Sequence, residues 1–141
     1  MSDQDFFDSN ILLYTLTSDD PRQAVATGLL VQGGTISVQV LNEFASVARR
    51  KLKFSWLEIT EALTALRELC AASIPLTVAT HEAAVTLAAR YGFAFYDAVI
   101  VASALEAGCT TLLSEDMQDG LIVETRLTVR NPFLQPAPSP R

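Results

Sequence analysis

The sequence predicts an α/β domain with a mostly parallel sheet that is covered by helices on both faces. Short apolar or β-branched stretches alternate along the chain with longer segments whose apolar residues recur at helical spacing. Parallel strands need long crossovers, and helices usually supply them, so this alternation is typical of such a sheet. The chain has 141 residues, half of them hydrophobic, which is enough to bury one core.

The predicted elements follow one another without an interdomain linker or an internal repeat. We predict strands at 6–8, 35–38, 74–78, 110–113, 121–124 and 127–129, and helices at 10–16, 21–32, 38–53, 55–70, 80–92 and 97–107. Residues 74–78 also fit an extended link, and the last two strands fit an edge hairpin.

Residues at the ends of these segments support the boundaries. Asp20 and Pro21 suit a helix start, "SWLE" at 55–58 has the spacing of a capping box, and Thr80 is suited to cap the next helix. Gly108 suits the left-handed end of a helix. We therefore expect one domain over residues 1–133, followed by a proline-rich, disordered tail over 134–141.

The amino-acid composition argues against several classes of protein. The net charge of −6 argues against a protein that coats nucleic acid through basic residues. No apolar run reaches the roughly 20 residues of a membrane span, and the N-terminus lacks a signal sequence, so we expect a soluble, cytoplasmic protein with no membrane partner. The two cysteines, Cys70 and Cys109, have no zinc-ligand spacing, and we expect them to be small buried hydrophobes.

Four acidic residues are predicted to meet at one edge of the sheet. Asp8 ends the first strand, Asp116 follows the "TTLL" strand, Asp97 begins a buried helix, and Glu43 lies one turn into the helix after "TISV". In parallel sheets, ligands bind beyond the carboxyl ends of the strands. Alone, each acid also fits a structural role, as a helix cap, a turn residue or a solvated helix position.

Carboxylates that meet in this way raise one another's pKa and resist ionising unless a positive charge lies among them. A divalent cation would relieve the repulsion, and a set of oxygen ligands without Cys or His favours Mg²⁺ or Mn²⁺. Such a metal suits phosphoryl chemistry, because it activates water and offsets the charge of the phosphate. Neighbouring polar residues are candidates for a supporting shell, namely Ser9, Asn10, Ser114, Glu115 and Asp119.

Four segments, in order, resemble the motifs of PIN-domain ribonucleases, and specifically of VapC-type toxins from bacterial toxin–antitoxin pairs. The segments are "FFDSNILLY", "SVQVLNEF", "FYDAVIVASALEAG" and "TLLSEDMQDG". The resemblance covers the chain from about Phe6 to Phe133. Ser9 stands where threonine is commoner in the family, a change that keeps the hydroxyl group.

The resemblance implies a three-layer α/β/α domain with Mg²⁺- or Mn²⁺-dependent endoribonuclease activity. Asp8, Glu43, Asp97 and Asp116 would then be the catalytic, metal-binding acids. It also implies a homodimer and a cognate antitoxin, whose segment lies in or near the acidic groove. An alternative is a catalytically idle PIN fold that serves as a protein-binding module.

Two features are candidates for contacting an RNA substrate. The dense basic run Arg49, Arg50, Lys51 and Lys53 is one, although it also suits the C-terminal end of a helix. The second is the aromatic group Phe93, Phe95 and Tyr96, for which core packing is the favoured role because the following helix is buried.

Other enzyme classes fit the sequence less well. A haloacid-dehalogenase-like phosphatase needs a second Asp two residues after the first, where this chain has Asn10. A receiver domain needs an acidic pair and a later lysine that are not evident. The single histidine, His81, excludes a ribonuclease mechanism that uses a histidine pair.

Overall fold

The computed structural model describes residues 4–134. In chain order the elements are β1 (Asp5–Phe7), α1 (Ser9–Tyr14), α2 (Arg22–Gln32), β2 (Thr35–Ser37), α3 (Val38–Arg50), α4 (Trp56–Leu69), β3 (Ala72–Ile74), α5 (Val78–Tyr91), α6 (Phe95–Glu106), β4 (Thr111–Leu113), β5 (Ile122–Val123) and β6 (Leu127–Arg130). Of the predicted tail, residues 135–141 lie outside the described part of the chain.

The six strands form one sheet in the order β3-β2-β1-β4-β6-β5. The first five of these run parallel, and β5 pairs antiparallel with β6 as the predicted edge hairpin. Helices α1 to α4 contact one another, and α5 packs along α6. Together with the sheet they form the predicted three-layer α/β/α arrangement.

The core is built around the central strands and helix α6. Phe6, Phe7 and Leu112 are fully buried, and seven consecutive residues of α6, Ala98–Ala104, are buried on every face. A helix that is apolar all round has to be enclosed by protein, as the sequence predicted. Cys70 and Cys109 are also buried and form no disulfide, as expected for small hydrophobes.

Several helix boundaries differ from the prediction by a few residues. Val38 begins α3 rather than ending β2, because the side chain of Ser37 caps that helix by accepting from the N–H of Val40. Helix α5 begins at Val78, because Thr77 is its N-cap. The N–H of Thr80 donates to Oγ1 of Thr77, and the N–H of Thr77 donates to Oγ1 of Thr80. The predicted cap at Thr80 was therefore wrong, while the capping box of Ser55 and Glu58 is confirmed.

Between residues 4 and 134, no single helix is both long and apolar enough to cross a bilayer. Helices α5 and α6 reach that length only as a pair, which is bent by 115° at the break between them.

Candidate active site

Parallel pairing of β1 with β4 brings two of the predicted motifs side by side. Phe7 is in register with Leu113, so the residues after each strand leave the sheet at the same edge. The N–H of Asp8 donates to the carbonyl of Leu113 at 3.0 Å, which extends the pairing by one residue. Asp8 and Ser114 therefore meet directly, although 106 positions separate them in the sequence.

Asp8 is the most buried of the four acids, with 2 % of its surface exposed. Its Oδ1 accepts from the N–H of Ser9 at 2.7 Å, which caps α1, and its Oδ2 accepts from the Ser114 hydroxyl at 2.7 Å. Burial raises the pKa of Asp8 to about 7, and the nearby charges of Glu43 and Asp116 add to this rise. The two hydrogen bonds act in the opposite direction and are too weak to cancel it.

The side-chain amide of Asn10 lies between two of the carboxylates. Its Nδ2 donates to Oδ2 of Asp116 at 3.1 Å and makes a longer contact of 3.5 Å with Oδ2 of Asp8. Its Oδ1 accepts from the N–H of Glu115 at 3.3 Å, and the Asp116 N–H donates to Ser114 Oγ at 3.2 Å. Asn10 and Ser114, the residues predicted to support the acids, thus form hydrogen bonds with the carboxylates of Asp116 and Asp8.

Glu43 is half-buried on helix α3 and is held at both oxygens. The Ser9 hydroxyl donates to its Oε1 at 3.2 Å, and the amide of Gln39 donates to its Oε2 at 3.1 Å. Gln39 was not predicted from the sequence, although its position four residues before Glu43 places it on the same helix face. These two bonds aim the Glu43 carboxylate at the edge where Asp8 lies.

Asp97 lies in the first turn of α6 and is half-buried, and the N-cap of that helix is Ala94. The capping role considered for Asp97 is therefore wrong. Burial raises the pKa of Asp97, and the charges of Glu43 and Asp116 raise it further. The charges of Glu43 and Asp116 therefore act on both Asp8 and Asp97.

The carboxylates of the described residues do not form a closed metal cage. Within the described residues, no three or more His, Cys, Asp or Glu side chains are arranged as a metal-binding group. The bonds from Ser9, Asn10 and Gln39 occupy carboxylate oxygens and hold the acids in place. The donor set itself, all oxygen with several negative charges at one edge, fits a hard divalent cation.

A second polar cluster, centred on Glu115, supports the loop that carries Asp116, and the partners of Glu115 were not predicted from the sequence. Glu115 Oε1 accepts from the Tyr14 hydroxyl at 3.0 Å and from Nη1 of Arg22 at 2.9 Å. The Arg22 guanidinium lies 4.2 Å from the centre of the Tyr14 ring and also pairs with Asp20. The contacts join the loop to helices α1 and α2.

Asp119 and the basic run, the other residues predicted to contribute to the site, do not all lie beside the acids. Asp119 is exposed and accepts from the N–H of Asn131 at 2.8 Å, which ties this loop to the segment after β6 rather than to Asp8. In the basic run, Arg50 and Lys51 line a groove that continues from Glu43 and Asp116 along α3. Arg49 instead lies 5.0 Å from the ring of Trp56 and donates to the carbonyl of Phe54, while Lys53 is exposed.

The aromatic residues before Asp97 are not all core residues. Phe93 is half-buried and stacks on Tyr91, whereas Tyr96 has 63 % of its surface exposed and lines the groove along α3. Core packing was therefore the wrong prediction for Tyr96. Its position in the first turn of α6 faces outward, because the enclosed part of the helix begins only at Ala98.

A model of the PIN domain matches residues 6–118. No curated protein matches the chain in sequence. Among solved structures, a toxin–antitoxin complex from Klebsiella pneumoniae aligns with a TM-score of 0.67 at 22% identity, covering 91% of this chain and 97% of the other. The sarcin-ricin loop cleaving toxin VapC20 of Mycobacterium tuberculosis aligns with a TM-score of 0.64 at 20% identity, covering 79% and 91%. FitAcB of Neisseria gonorrhoeae aligns with a TM-score of 0.62 at 17% identity, covering 92% and 98%.

Proposed function

The chain belongs to the PIN domain family, and from this membership we propose that it is a metal-dependent endoribonuclease and the toxin of a type II toxin–antitoxin pair. The family assignment agrees with the resemblance found in the four sequence motifs. The observation that supports the proposal is the hydrogen-bond network at the carboxyl edge of the sheet, in which Ser9 joins Asp8 to Glu43 and Asn10 joins Asp8 to Asp116. The charges of Glu43 and Asp116 also raise the pKa values of Asp8 and Asp97, which are raised mainly by burial.

The four acids are the residues that would hold a divalent cation, Mg²⁺ or Mn²⁺. When bound, such an ion supplies an activated water and offsets negative charge on the phosphate. The carboxylate of Glu43, fixed by Ser9 and Gln39, is suited to orient the attacking water and accept its proton. Hydrolysis then adds the water oxygen to phosphorus, breaks the bond to one ribose oxygen and leaves a proton on that oxygen.

The supporting residues would keep the acids in position during this reaction. Asn10 bonds to Asp116 and approaches Asp8, and Ser114 bonds to Asp8 and to the backbone of Asp116. The network needs no nucleophilic side chain. His81, in the first turn of α5, is exposed, in keeping with a surface role.

We propose an antitoxin as the protein partner. The similar structure from Klebsiella pneumoniae is a toxin–antitoxin complex. A basic side chain from such a partner would neutralise the acids at the sheet edge and block the approach of RNA. We also propose a homodimer, because a second copy would add its own Arg50 and Lys51 to the surface that contacts the substrate. A cytoplasmic location is part of the same proposal.

Cleavage of RNA by the purified full chain tests the proposed activity. A panel that includes tRNA and structured mRNA fragments is incubated with Mg²⁺ or Mn²⁺, and EDTA is added to a parallel set. We expect Asp97→Asn to lower the cleavage rate about a hundredfold or more, the scale of losing one charged group at a reacting centre. Asp19→Asn is the matched control, because Asp19 is an exposed aspartate in the loop before α2.

The outcomes separate the enzyme from the alternative binding module. Cleavage that is lost in EDTA and in Asp97→Asn, and kept in Asp19→Asn, supports the nuclease. Full activity of a folded Asp97→Asn protein would overturn the assignment of this acid. A folded wild-type protein that cleaves no RNA in either metal would favour the idle PIN fold.

A further inference from the structure

The loop after β4 carries Asp116, and side chains rather than a neighbouring strand hold its first residues. Ser114 still bonds to the sheet, since its N–H donates to the carbonyl of Arg130 at 3.0 Å. The N–H of Glu115 instead donates to Oδ1 of Asn10 at 3.3 Å. The N–H of Asp116 donates to Oγ of Ser114 at 3.2 Å. The position of Asp116 therefore depends on side-chain contacts.

The bond from Glu115 also fixes the direction in which the side-chain amide of Asn10 points. Because Oδ1 of that amide accepts from the Glu115 N–H, its Nδ2 faces the acids, where it donates to Asp116 at 3.1 Å and lies 3.5 Å from Asp8. Movement of the Glu115 backbone would release the amide. The carboxylates of Asp8 and Asp116 would then lose the donor between them.

The side chain of Glu115 is held by Tyr14 and Arg22. Its Oε1 accepts from the Tyr14 hydroxyl at 3.0 Å and from Nη1 of Arg22 at 2.9 Å. Its Oε2 is buried and accepts no hydrogen bond from the described residues. Loss of Arg22 would leave this carboxylate with the Tyr14 hydroxyl as its neutral donor, which favours movement of the side chain toward water.

The guanidinium of Arg22 is itself fixed in one orientation. Its Nε and Nη2 donate to the two carboxylate oxygens of Asp20 at 2.9 and 2.7 Å, and this paired arrangement leaves Nη1 for Glu115. Its central carbon lies 4.2 Å from the centre of the Tyr14 ring. Because these contacts set the direction of the guanidinium, Arg22 loses little further side-chain freedom when it pairs with Glu115.

We propose that Arg22 is a positioning residue of the candidate active site and that it acts through Glu115. The pair holds the loop after β4 so that Asn10 bonds to Asp116. Arg22 does not line the groove that contains Glu43 and Asp116, so its effect passes through the loop. The inference rests on the proposed function where it concerns a bound cation.

A cluster of the same three residue types elsewhere in the fold provides a matched control. Arg90 pairs with Glu124, whose Oε2 accepts from the Tyr91 hydroxyl at 3.4 Å. This cluster joins helix α5 to the turn between β5 and β6. Arg90→Gln therefore removes an equivalent ion pair from a contact that includes none of the four acids.

Amide exchange with water, measured by NMR on the full chain in EDTA, tests the positioning without metal or RNA. Arg22→Gln is expected to speed exchange of the Glu115 and Asp116 N–H groups about tenfold, because their side-chain acceptors move away. The N–H of Asp8, which bonds to β4, is expected to keep its exchange rate. Arg90→Gln is expected to leave all three rates unchanged.

Titration calorimetry with Mn²⁺ tests the consequence for a bound cation. Through charge alone, removing Arg22 would make the surroundings of the acids more negative and tighten Mn²⁺ binding. Loss of positioning acts in the opposite direction, and we expect Arg22→Gln to raise the Kd for Mn²⁺ about tenfold, the lower end of the range for residues that support metal ligands. Arg90→Gln is expected to leave this Kd unchanged.

The variant Glu115→Gln tests whether Arg22 acts through Glu115. It keeps the shape of the side chain and removes the charge that Arg22 pairs with. In this background, the further change Arg22→Gln is expected to cause no additional weakening of Mn²⁺ binding, because the contact is already lost. Losses that multiply would show that Arg22 acts by another route.

Two further results would overturn the inference. One is an exchange rate at Glu115 that is the same in Arg22→Gln as in Arg90→Gln, and the other is unchanged or tighter Mn²⁺ binding by Arg22→Gln. The proposed function fails separately. A wild-type chain that binds Mn²⁺ but cleaves no RNA would reject the nuclease and keep Arg22 as a positioning residue of a cation site. A wild-type chain that binds no Mn²⁺ would reject the metal site, and the exchange rates in EDTA would then decide the role of Arg22.

Discussion

Asp8 combines a structural role with a chemical one. Its carboxylate caps α1 through the N–H of Ser9, accepts from Ser114, and lies beside Glu43 and Asp116. Burial disfavours its ionised form, and two neighbouring negative charges disfavour it further. The same properties that suit it to bind a cation therefore make ionised Asp8 a source of instability in the metal-free protein.

The raised pKa of Asp8 predicts how stability changes with pH. The pKa is about 7 in the folded chain against 3.8 for a free aspartate, so the folded state binds the proton more tightly. The resulting stabilisation is fully present below pH 3.8 and is lost as pH rises toward 7 and above. At pH 8 the ionised group costs the folded state on the order of a few kcal/mol.

Asp8→Asn removes this ionisation and keeps the shape of the side chain. We expect the variant to be more stable than wild type at pH 8 in EDTA, and the difference to shrink toward zero near pH 4. Urea unfolding at both pH values gives the free energies, and Asp19→Asn controls for the loss of one negative charge. A variant less stable than wild type at pH 8 would show that the bonds to Ser9 and Ser114 outweigh the desolvation of Asp8.

Helices α3 and α6 show what could and could not be predicted at the scale of an element. In α3, Val40, Phe44 and Ala48 are buried, as expected for apolar residues that recur every four positions and so share one helix face. Between Ala98 and Ala104 the residues of α6 are apolar apart from Ser103, so the sequence predicted burial but gave no way to distinguish the faces of the helix. The exposure of Tyr96 depends on where the neighbouring elements end, which is a tertiary property.

A close approach between Gly34 and the first strand could not be predicted from sequence either. A Cβ atom at Gly34 would lie 2.7 Å from two ring atoms of Phe7 and 3.0 Å from the carbonyl of Asp5. Because Phe7 is fully buried, its ring has little room to move. Gly34→Ala is therefore expected to lower the free energy of unfolding by about 1 to 3 kcal/mol, the usual cost of overpacking.

Gly28→Ala is the matched control for this prediction. Gly28 lies within α2, and a Cβ there would meet nothing within 4 Å. We expect this change to stabilise the protein by up to about 1 kcal/mol, since alanine is the better helix former. Equal stabilities for the two variants in urea unfolding would show that Phe7 yields to the added methyl group.

For the whole molecule, the carboxyl-edge rule for parallel sheets correctly predicted which segments would come together. The rule places strand ends but not side-chain partners, and so the roles of Gln39 and of the Glu115–Arg22 pair could not be predicted. Gln39 had no distinguishing pattern apart from its spacing to Glu43. Arg22 and Glu115 are 93 positions apart in the sequence, and only the packing of α2 against the loop after β4 joins them.

The four acids come from the junction of β1 and α1, from α3, from α6 and from the loop after β4, so a cation bound among them would link most of the fold. Such an ion would bind the folded chain and not the unfolded one, and at a hundred times its Kd it adds about 2.7 kcal/mol of stability. For a chain of this size we expect Mn²⁺ to raise Tm by several degrees. Asp116→Asn should reduce that rise, because it removes one ligand, while Asp19→Asn should keep it. Thermal unfolding in EDTA and at increasing Mn²⁺ concentrations measures the effect without reference to RNA cleavage, and equal rises for both variants would remove Asp116 from the metal site.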